Sequence, residues 1–332
     1  NFTETSMDKV YRDGAHILSD MLYFCTFRRK TCVAQNFTPV FTRLGLCHTF
    51  NKDFSFTKVE NPGLDYGLIL RLSPQQDLYY GFAAEIAGFR VHIHNKDEPP
   101  LVKENGFAVM PGTSTFVAVT IQQVRSLPPP YKSKCANKKI LGKSVYSRPL
   151  CFEECRARFI IRKCHCRNPE MPAIENVPVC TVKQQVLCVK GKDIEFTNKH
   201  SKNCSCPAPC DVTSYETRLS YAQYPSEYAK HSAAIRLSKL SGSNDSEDEK
   251  TYLQRYQRGD MLELKIFYQH LNYKLIEDVP KYQLENLIAE AGGMMGLLLG
   301  ASVITVIEFL DFIISLLALR VFKVSSSSSS QQ

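Results

Sequence analysis

Two carboxylates stand at the end of the most apolar part of the sequence. Glu308 and Asp311 follow residues 291–307, which carry no charge. They are three residues apart, so in a helix they share one face, one to two turns beyond Ser302. A carboxylate within a bilayer is costly unless it faces water or protein, so it marks an ion path by default. Alternatively, both acids lie just below the hydrocarbon and form an acidic vestibule at a cation pore.

The segment that carries these acids is long enough to cross a membrane. Its apolar character continues to Leu319, and Arg320 and Lys323 follow. As a helix, residues 291–319 would reach about 43 Å, against a hydrocarbon core of ~30 Å. Basic residues just past the end favour a cytoplasmic terminus, which places everything upstream outside the cell. A buried core helix is the alternative.

Small residues give this helix a second feature. Three glycines recur at intervals of four and share one face, where helices can approach closely: Gly292, Gly296 and Gly300. The serine-rich residues 323–332 have low complexity and are predicted to be a disordered tail.

Cysteine usage indicates an oxidising compartment. Ten of the thirteen cysteines fall between Cys135 and Cys210, a density typical of ectodomains. Zinc binding is the competing hypothesis, but structural zinc sites usually space paired cysteines by two to four residues. The closest pairs here, 164–166 and 204–206, are each separated by one residue, so disulfides are favoured. Four N-x-S/T sequons agree with an extracellular address, at Asn1, Asn36, Asn203 and Asn244.

The charge distribution and the absence of catalytic motifs argue against a nucleic-acid-binding protein and against an enzyme. The 41 basic and 33 acidic residues give a net charge of +8, and the excess is spread without a polybasic run. Nucleic-acid binding therefore has little support. The sequence has no G-x-S-x-G, H-E-x-x-H or comparable catalytic motif, so we predict neither an enzyme nor a cofactor.

Periodicity predicts an α+β fold. Runs rich in β-branched residues fill 66–124, and the prolines 128–130 predict a stiff extended connector. A helix follows in which Cys151 and Cys155 lie one turn apart. A capping-box pattern at 181–184 begins a second helix that ends near residue 188, and Pro225 begins a third that ends near 240. An acidic loop, 241–249, precedes an alternating strand at 261–269.

These segments, in this order, resemble the degenerin/epithelial sodium channel/acid-sensing ion channel superfamily. The similar segments are DMLYFCTFRRKTC, NFTPVFTRLGLCHTFN, AGFRVHIHNKDEPP, GFAVMPGTSTFVAV, LPPPY, the ten clustered cysteines, and GGMMGLLLGASVITVIEFLDF. The resemblance implies a disulfide-rich extracellular domain with a β-sheet palm and a helical thumb, followed by one transmembrane helix. Its subdomains would be a partial finger and palm (1–60), palm and β-ball strands (61–130), a disulfide-rich thumb (131–215), a knuckle-like helix and acidic loop (216–260), a palm strand and wrist (261–290), the second transmembrane helix (291–322) and the tail (323–332).

Family pairing, carried over by position, implies six disulfides. They would join Cys25 to Cys32, Cys135 to Cys210, Cys151 to Cys206, Cys155 to Cys204, Cys164 to Cys188, and Cys166 to Cys180. Cys47 is left over, because its partner in the family lies just after a first transmembrane helix. The chain also opens on a sequon without a signal peptide. We therefore expect an N-terminally truncated chain that lacks that helix.

The resemblance also implies roles for individual residues. In a trimer, Gly300, Ala301 and Ser302 would form the selectivity filter, and the paired acids would concentrate cations below it. Ala289 and Glu290 match an outer-pore gating site. Tyr131 would couple the thumb to the membrane helix. The permeant ion would be sodium, in the plasma membrane, with homo- or heterotrimeric partners and the bilayer around the channel.

Three departures from acid-sensing members bear on gating. Tyr131 stands where those members have Trp, YYGFAAE at 79–85 replaces an acidic cluster, and only Glu195 of a carboxylate pair remains, the other position being Gly191. A proton switch needs clustered carboxylates whose repulsion raises a pKa. Gating by an extracellular peptide, or constitutive conduction, is therefore favoured over strong proton gating. A single-pass receptor or adhesion ectodomain is the alternative function.

Overall fold

The structure of the chain is a computed structural model, which describes residues 2–52, 58–79, 85–140, 146–174, 176–240, 247–300 and 302–328. It divides into two compact units, 1–277 and 278–332. The first unit combines a β-sheet with disulfide-bonded helices, and the second is helical. The predicted α+β, disulfide-rich fold is confirmed.

Strands of the first unit lie on both sides of its helical region in sequence. They are β1 (Leu22–Phe27), β2 (Lys30–Thr31), β3 (Phe37–Thr42), β4 (Gly45–Phe50), β5 (Leu68–Leu72), β6 (Phe89–Val91), β7 (Phe107–Val109), β8 (Thr113–Arg125), β9 (Asp211–Gln223) and β10 (Leu262–Glu277). Helices are α1 (Met7–Asp13), α2 (Leu18–Met21), α3 (Val102–Asn105), α4 (Arg148–Cys164), α5 (Val182–Gln184), α6 (Lys190–Glu195), α7 (Glu227–Leu240), α8 (Glu247–Arg258), α9 (Leu284–Leu299) and α10 (Val303–Ser328).

Six strands form the main sheet, in the order β2-β1-β5-β10-β8-β9. The β8–β10 pair is parallel and the other pairs are antiparallel. Successive side chains of a strand point to opposite faces of the sheet, so residues two apart share a face. Val117 and Val119 of β8, with Leu262 and Leu264 of β10, are accordingly buried in a single apolar cluster. β3 and β4 form a separate hairpin, and β6 pairs with β7. The sheet thus supplies the framework from which the helical region extends.

A second apolar cluster holds the helices together. Ile160 of α4 and Phe196 lie in its centre, with 0% and 1% of their surface exposed. The hydroxyl of Ser147 caps α4, accepting the N–H of Leu150, and His165 ends the helix in the left-handed region. The run 182–203 is continuously helical, with π and 3-10 turns around α5 and α6. The prediction that this helix ends near residue 188 is therefore wrong.

Several other element predictions need correction. The acidic segment 241–249 is helical from Glu247 onward; residues 241–246 lie outside the described part of the chain. Within the β-rich segment predicted over 66–124, residues 87–94 form only the three-residue strand β6. The prolines at 128–130 lead into a turn in which the Tyr131 N–H donates to the Pro128 carbonyl (3.2 Å). Strand β9 was not predicted, because its exposed half is polar and it crosses the predicted boundary at 215/216.

In the second unit, the predicted single helix over 291–322 is interrupted. α9 ends at Gly300, whose φ of 62° is the left-handed conformation that glycine adopts without strain, and α10 starts at Val303. The predicted tail is helical as far as Ser328, and 329–332 lie outside the described residues. Among the described residues, no helix is both long enough and apolar enough to cross a membrane.

Candidate pore segment and the disulfide-bonded helices

The break between α9 and α10 falls at the predicted Gly-Ala-Ser filter. The Gly300 N–H donates to the Met295 carbonyl and closes the end of α9. Ser302 starts α10: its hydroxyl accepts the N–H of Thr305 (3.4 Å), and its own N–H donates to the Thr305 hydroxyl (3.1 Å). Ala301 lies outside the described residues. The Ser302 carbonyl accepts the N–H of Val306 (3.2 Å) in the regular helical pattern, but its N–H bonds a side chain instead of a preceding carbonyl. The continuous helical hydrogen-bond pattern is therefore interrupted between Gly300 and Ser302.

The predicted acids and outer-pore residues lie on the two helices that flank the break. Glu308 and Asp311 are exposed on α10, about two turns after Ser302. Ala289 and Glu290 are exposed on α9, and the Tyr282 hydroxyl donates a hydrogen bond to the Glu290 carboxylate. A side chain added at Gly292 or Gly300 would meet nothing within 4 Å. The face that carries these glycines is therefore open in the single chain.

Among the described residues, six disulfides cross-link the first unit. They join Cys25 to Cys32, Cys135 to Cys210, Cys151 to Cys206, Cys155 to Cys204, Cys164 to Cys188, and Cys166 to Cys180, which are the six pairs that the resemblance implied. Cys151 and Cys155, one turn apart on α4, are both bonded to the C-x-C segment 204–206. Cys164–Cys188 ties the end of α4 to the helical run 182–203, and Cys166–Cys180 ties the segment just after α4 to the residues just before that run.

Cys47 forms no disulfide. Its Sγ lies 3.3 Å from the Thr42 hydroxyl on the β3–β4 hairpin, and burial raises the pKa of its thiol. The side chain of Asn36, in the second sequon, makes a local hydrogen bond: its oxygen accepts the N–H of Val33 (2.8 Å). Asn203 is exposed, whereas Asn1 and Asn244 lie outside the described residues. Glycosylation at these positions stays a prediction.

A buried arginine organises the charges of the helical region. Arg156 of α4, with 5% of its side chain exposed, places Nη1 3.0 Å from Glu153 and Nε 2.5 Å from Asp193. Its Nη2 is 3.8 Å from Glu170, whose side chain is 6% exposed. Burial raises the pKa of Glu170. Sequence reasoning did not select any of these residues, because nothing in their spacing shows that α4, α6 and the 168–171 turn meet.

Glu195 has a different environment from this cluster. It pairs with Lys192 (2.7 Å) and lies 3.7 Å from His200, and the contact with Lys192 lowers the pKa of its carboxyl. The described part of the chain has no group of three or more His, Cys, Asp or Glu side chains suited to a metal ion.

The sequence matches one family along almost the whole chain. The model of the family described as amiloride-sensitive sodium channel aligns with residues 1–312. The chain belongs to the amiloride-sensitive sodium channel family. Acid-sensing ion channel 2 of Homo sapiens is 36% identical over 324 residues, an alignment that covers 94% of this chain and 60% of the relative.

Relatives in other vertebrates are equally similar. Acid-sensing ion channel 2 of Danio rerio is 35% identical, covering 92% of this chain and 57% of that protein, and acid-sensing ion channel 1 of Gallus gallus gives the same three values. The chain therefore spans about three-fifths of the length of these curated relatives. Their names designate ion channels, in keeping with the non-enzyme prediction for this family member.

Proposed function

We propose that this family member is a subunit of a trimeric, sodium-selective cation channel of the plasma membrane. The observation that carries the proposal is the non-helical break between two apolar helices, bounded by Gly300 and Ser302. Small residues at such a break allow backbone carbonyls and the serine hydroxyl to replace part of the hydration shell of an ion. Ala301, between them, completes the proposed filter.

The surroundings of the break support this role. Apolar side chains of α9 and α10 between Leu284 and Leu319 are 37% to 86% exposed in the single chain, which suits contact with lipid or with neighbouring subunits. Glu308 and Asp311 follow the filter and would raise the local cation concentration on the cytoplasmic side. Ala289 and Glu290 precede it and would line the outer pore. The partners would be two further copies or related subunits.

For gating, we propose an extracellular peptide ligand or constitutive opening rather than strong proton gating. The main support is that the carboxylates near the thumb helices are paired with cations. Asp193 contacts Arg156, and Glu195 contacts Lys192. Proton gating requires carboxylates that repel one another and so take up protons near neutral pH. Tyr131, 42% exposed at the end of the proline turn, would transmit movement to the pore.

Whole-cell recording from the full-length protein tests the proposed function. Cells would be exposed in turn to neutral saline, acid, amidated neuropeptides and extracellular protease, and the reversal potential would be measured with sodium or potassium outside. We expect a cation current whose reversal potential follows the sodium gradient. Surface expression without cation current under all four conditions would favour the receptor or adhesion alternative.

A further inference from the structure

One arginine outside the helical region contacts the same carboxylates as Arg156. Arg43 lies in the turn between β3 and β4, and 29% of its side chain is exposed. Its Nη2 is 3.4 Å from Oδ2 of Asp193, whereas Oδ1 of that aspartate is 2.5 Å from Arg156. Its Nη1 is 3.9 Å from Oε1 of Glu153, whereas Oε2 of that glutamate is 3.0 Å from Arg156. Each carboxylate thus divides its two oxygens between the two arginines.

The hairpin arginine also reaches a third element. Its Nη1 lies 3.3 Å from Oε1 of Glu104, in α3. Arg43 therefore connects the hairpin to three helices, α3, α4 and α6, whose contacting residues follow it by 61 to 150 positions in the chain. A planar guanidinium suits this role, because its fork of N–H donors can engage several carboxylates in fixed directions.

The two shared carboxylates sit on segments that disulfides hold. Asp193 lies between Cys188, which is bonded to Cys164, and Cys204, which is bonded to Cys155. Glu153 lies on α4 between Cys151 and Cys155, both of which form disulfides. A displacement of either carboxylate must therefore move the cross-linked helices with it.

The two arginines differ in what their removal would leave behind. Arg156 is almost fully buried, so its loss would strand buried carboxylates and endanger folding. Loss of Arg43 leaves Asp193 and Glu153 still paired with Arg156. Arg43 can thus be exchanged without leaving either carboxylate unpaired, and its removal breaks the link between the hairpin and the helices selectively.

We propose that Arg43 is a positioning residue that couples the β3–β4 hairpin to the disulfide-bonded helices and thereby sets how readily the channel opens. The second half of this statement rests on the proposed channel function. The coupling between the hairpin and the helices concerns the first unit alone and does not depend on that function. The link acts through Asp193 and Glu153, whose positions move with α6 and α4.

The coupling is tested by amide hydrogen exchange on the full-length protein in detergent. In R43Q we expect exchange in the hairpin and in 188–203 to be roughly 3- to 10-fold faster than in the wild type. R43K retains the charge but not the fork and should give an intermediate value. R158Q is the matched control, since it removes an exposed ion pair with Glu154 on α4 and should change neither segment.

A double variant shows whether the effect passes through the shared carboxylate. If it does, R43Q should have less than about half of its usual effect when introduced into D193N, because the two residues act in one network. Additive effects, or exchange in R43Q equal to that of the wild type, would overturn the coupling.

The functional half is tested by sodium current per surface channel. The current would be recorded in whichever of neutral saline, acid, amidated neuropeptides or protease gives the largest wild-type response. R43Q should change it by about five-fold or more, R43K by less, and R158Q should match the wild type. Faster exchange in R43Q with unchanged current would overturn the role in opening. A wild type without current would overturn the proposed channel function, while the exchange data still decide the coupling.

Discussion

The imidazole rings of His92 and His94 are stacked, with centroids 5.3 Å apart and planes inclined by 19°. Nδ1 of His92 is buried and has no hydrogen-bond partner among the described residues, whereas Nδ1 of His94 lies 2.8 Å from the Asn95 carbonyl. Burial, and then the neighbouring His94, lower the pKa of His92 to about 4. Burial also lowers the pKa of His94. The pair is therefore held in its neutral form in the folded protein.

This pair predicts a loss of stability in mild acid. The unfolded state binds a proton on His92 below pH 6.5, whereas the folded state resists it until about pH 4, so the free energy of unfolding falls across that window. Thermal unfolding followed by circular dichroism should show the midpoint falling less steeply between these pH values in H92Q than in the wild type.

The control is H231Q, at an exposed position on α7, which should keep the wild-type pH dependence. Glu98 and Glu104 face the pair and are unchanged in both variants. Burial raises the pKa of Glu98, which opposes the histidine effect and makes the comparison between variants necessary. Parallel curves for H92Q and the wild type would contradict the prediction.

Disulfide loops of different length predict different losses of stability. Cys135–Cys210 spans 75 residues and Cys25–Cys32 spans 7, and three of these four cysteines are buried alike at 1% to 4% exposure. In the chain-entropy model, the longer loop contributes about 4.5 kcal/mol and the shorter about 2.5 kcal/mol. Denaturant unfolding of C135S/C210S should therefore show the larger drop in the free energy of unfolding. Equal losses from the two double variants would rule out loop closure as the main cause.

A glycine at the start of β6 predicts a steric effect. Gly88 has φ of 128°, and a Cβ there would lie 2.1 Å from the Val109 carbonyl oxygen on β7. G88A should lower the free energy of unfolding by roughly 2–4 kcal/mol, because the clash is with backbone that cannot turn aside. G191A is the matched control: nothing lies within 4 Å of that helical site, and alanine there should stabilise α6 by about 0.5–1 kcal/mol. A loss in G191A comparable to that in G88A would show that the effect is not local.

The helices and strands that could be predicted are those whose residue pattern lies within the element itself. The alternation of Leu262, Leu264 and Ile266 identified β10, and the spacing of Cys151 and Cys155 identified the face of α4. The disulfide pairing came from family resemblance, since spacing alone allows many connectivities. The break at Gly300 was missed because an uncharged run predicts a helix, and a single glycine within it does not show which way the backbone will turn.

Contacts between distant segments could not be predicted in this way. Arg43 and Asp193 are 150 residues apart, and each looks like an ordinary surface charge in its own segment. Only the fold brings the β3–β4 turn to α6. The same holds for Glu170, whose burial depends on the packing of α4 against the turn that follows it.

The last prediction concerns the serine at the break. If the Ser302 hydroxyl helps to replace sodium hydration, S302A should reduce the preference for sodium over potassium by about 2- to 12-fold, the value of one net hydrogen bond, and shift the reversal potential by roughly 20 to 60 mV. S302T keeps a hydroxyl and should shift it less. The same hydroxyl also caps α10 through Thr305, so S302A removes two functions at once.

T305A helps to separate these two functions. It weakens the start of α10 by removing the Thr305 hydroxyl that accepts the Ser302 N–H, while the Ser302 hydroxyl and its bond from the Thr305 backbone N–H stay in place. A selectivity loss in S302A that is absent from T305A assigns the effect to ion coordination. Equal shifts in both variants would assign it to the helix start instead. Reversal potentials unchanged in S302A would contradict the placement of the filter at this break.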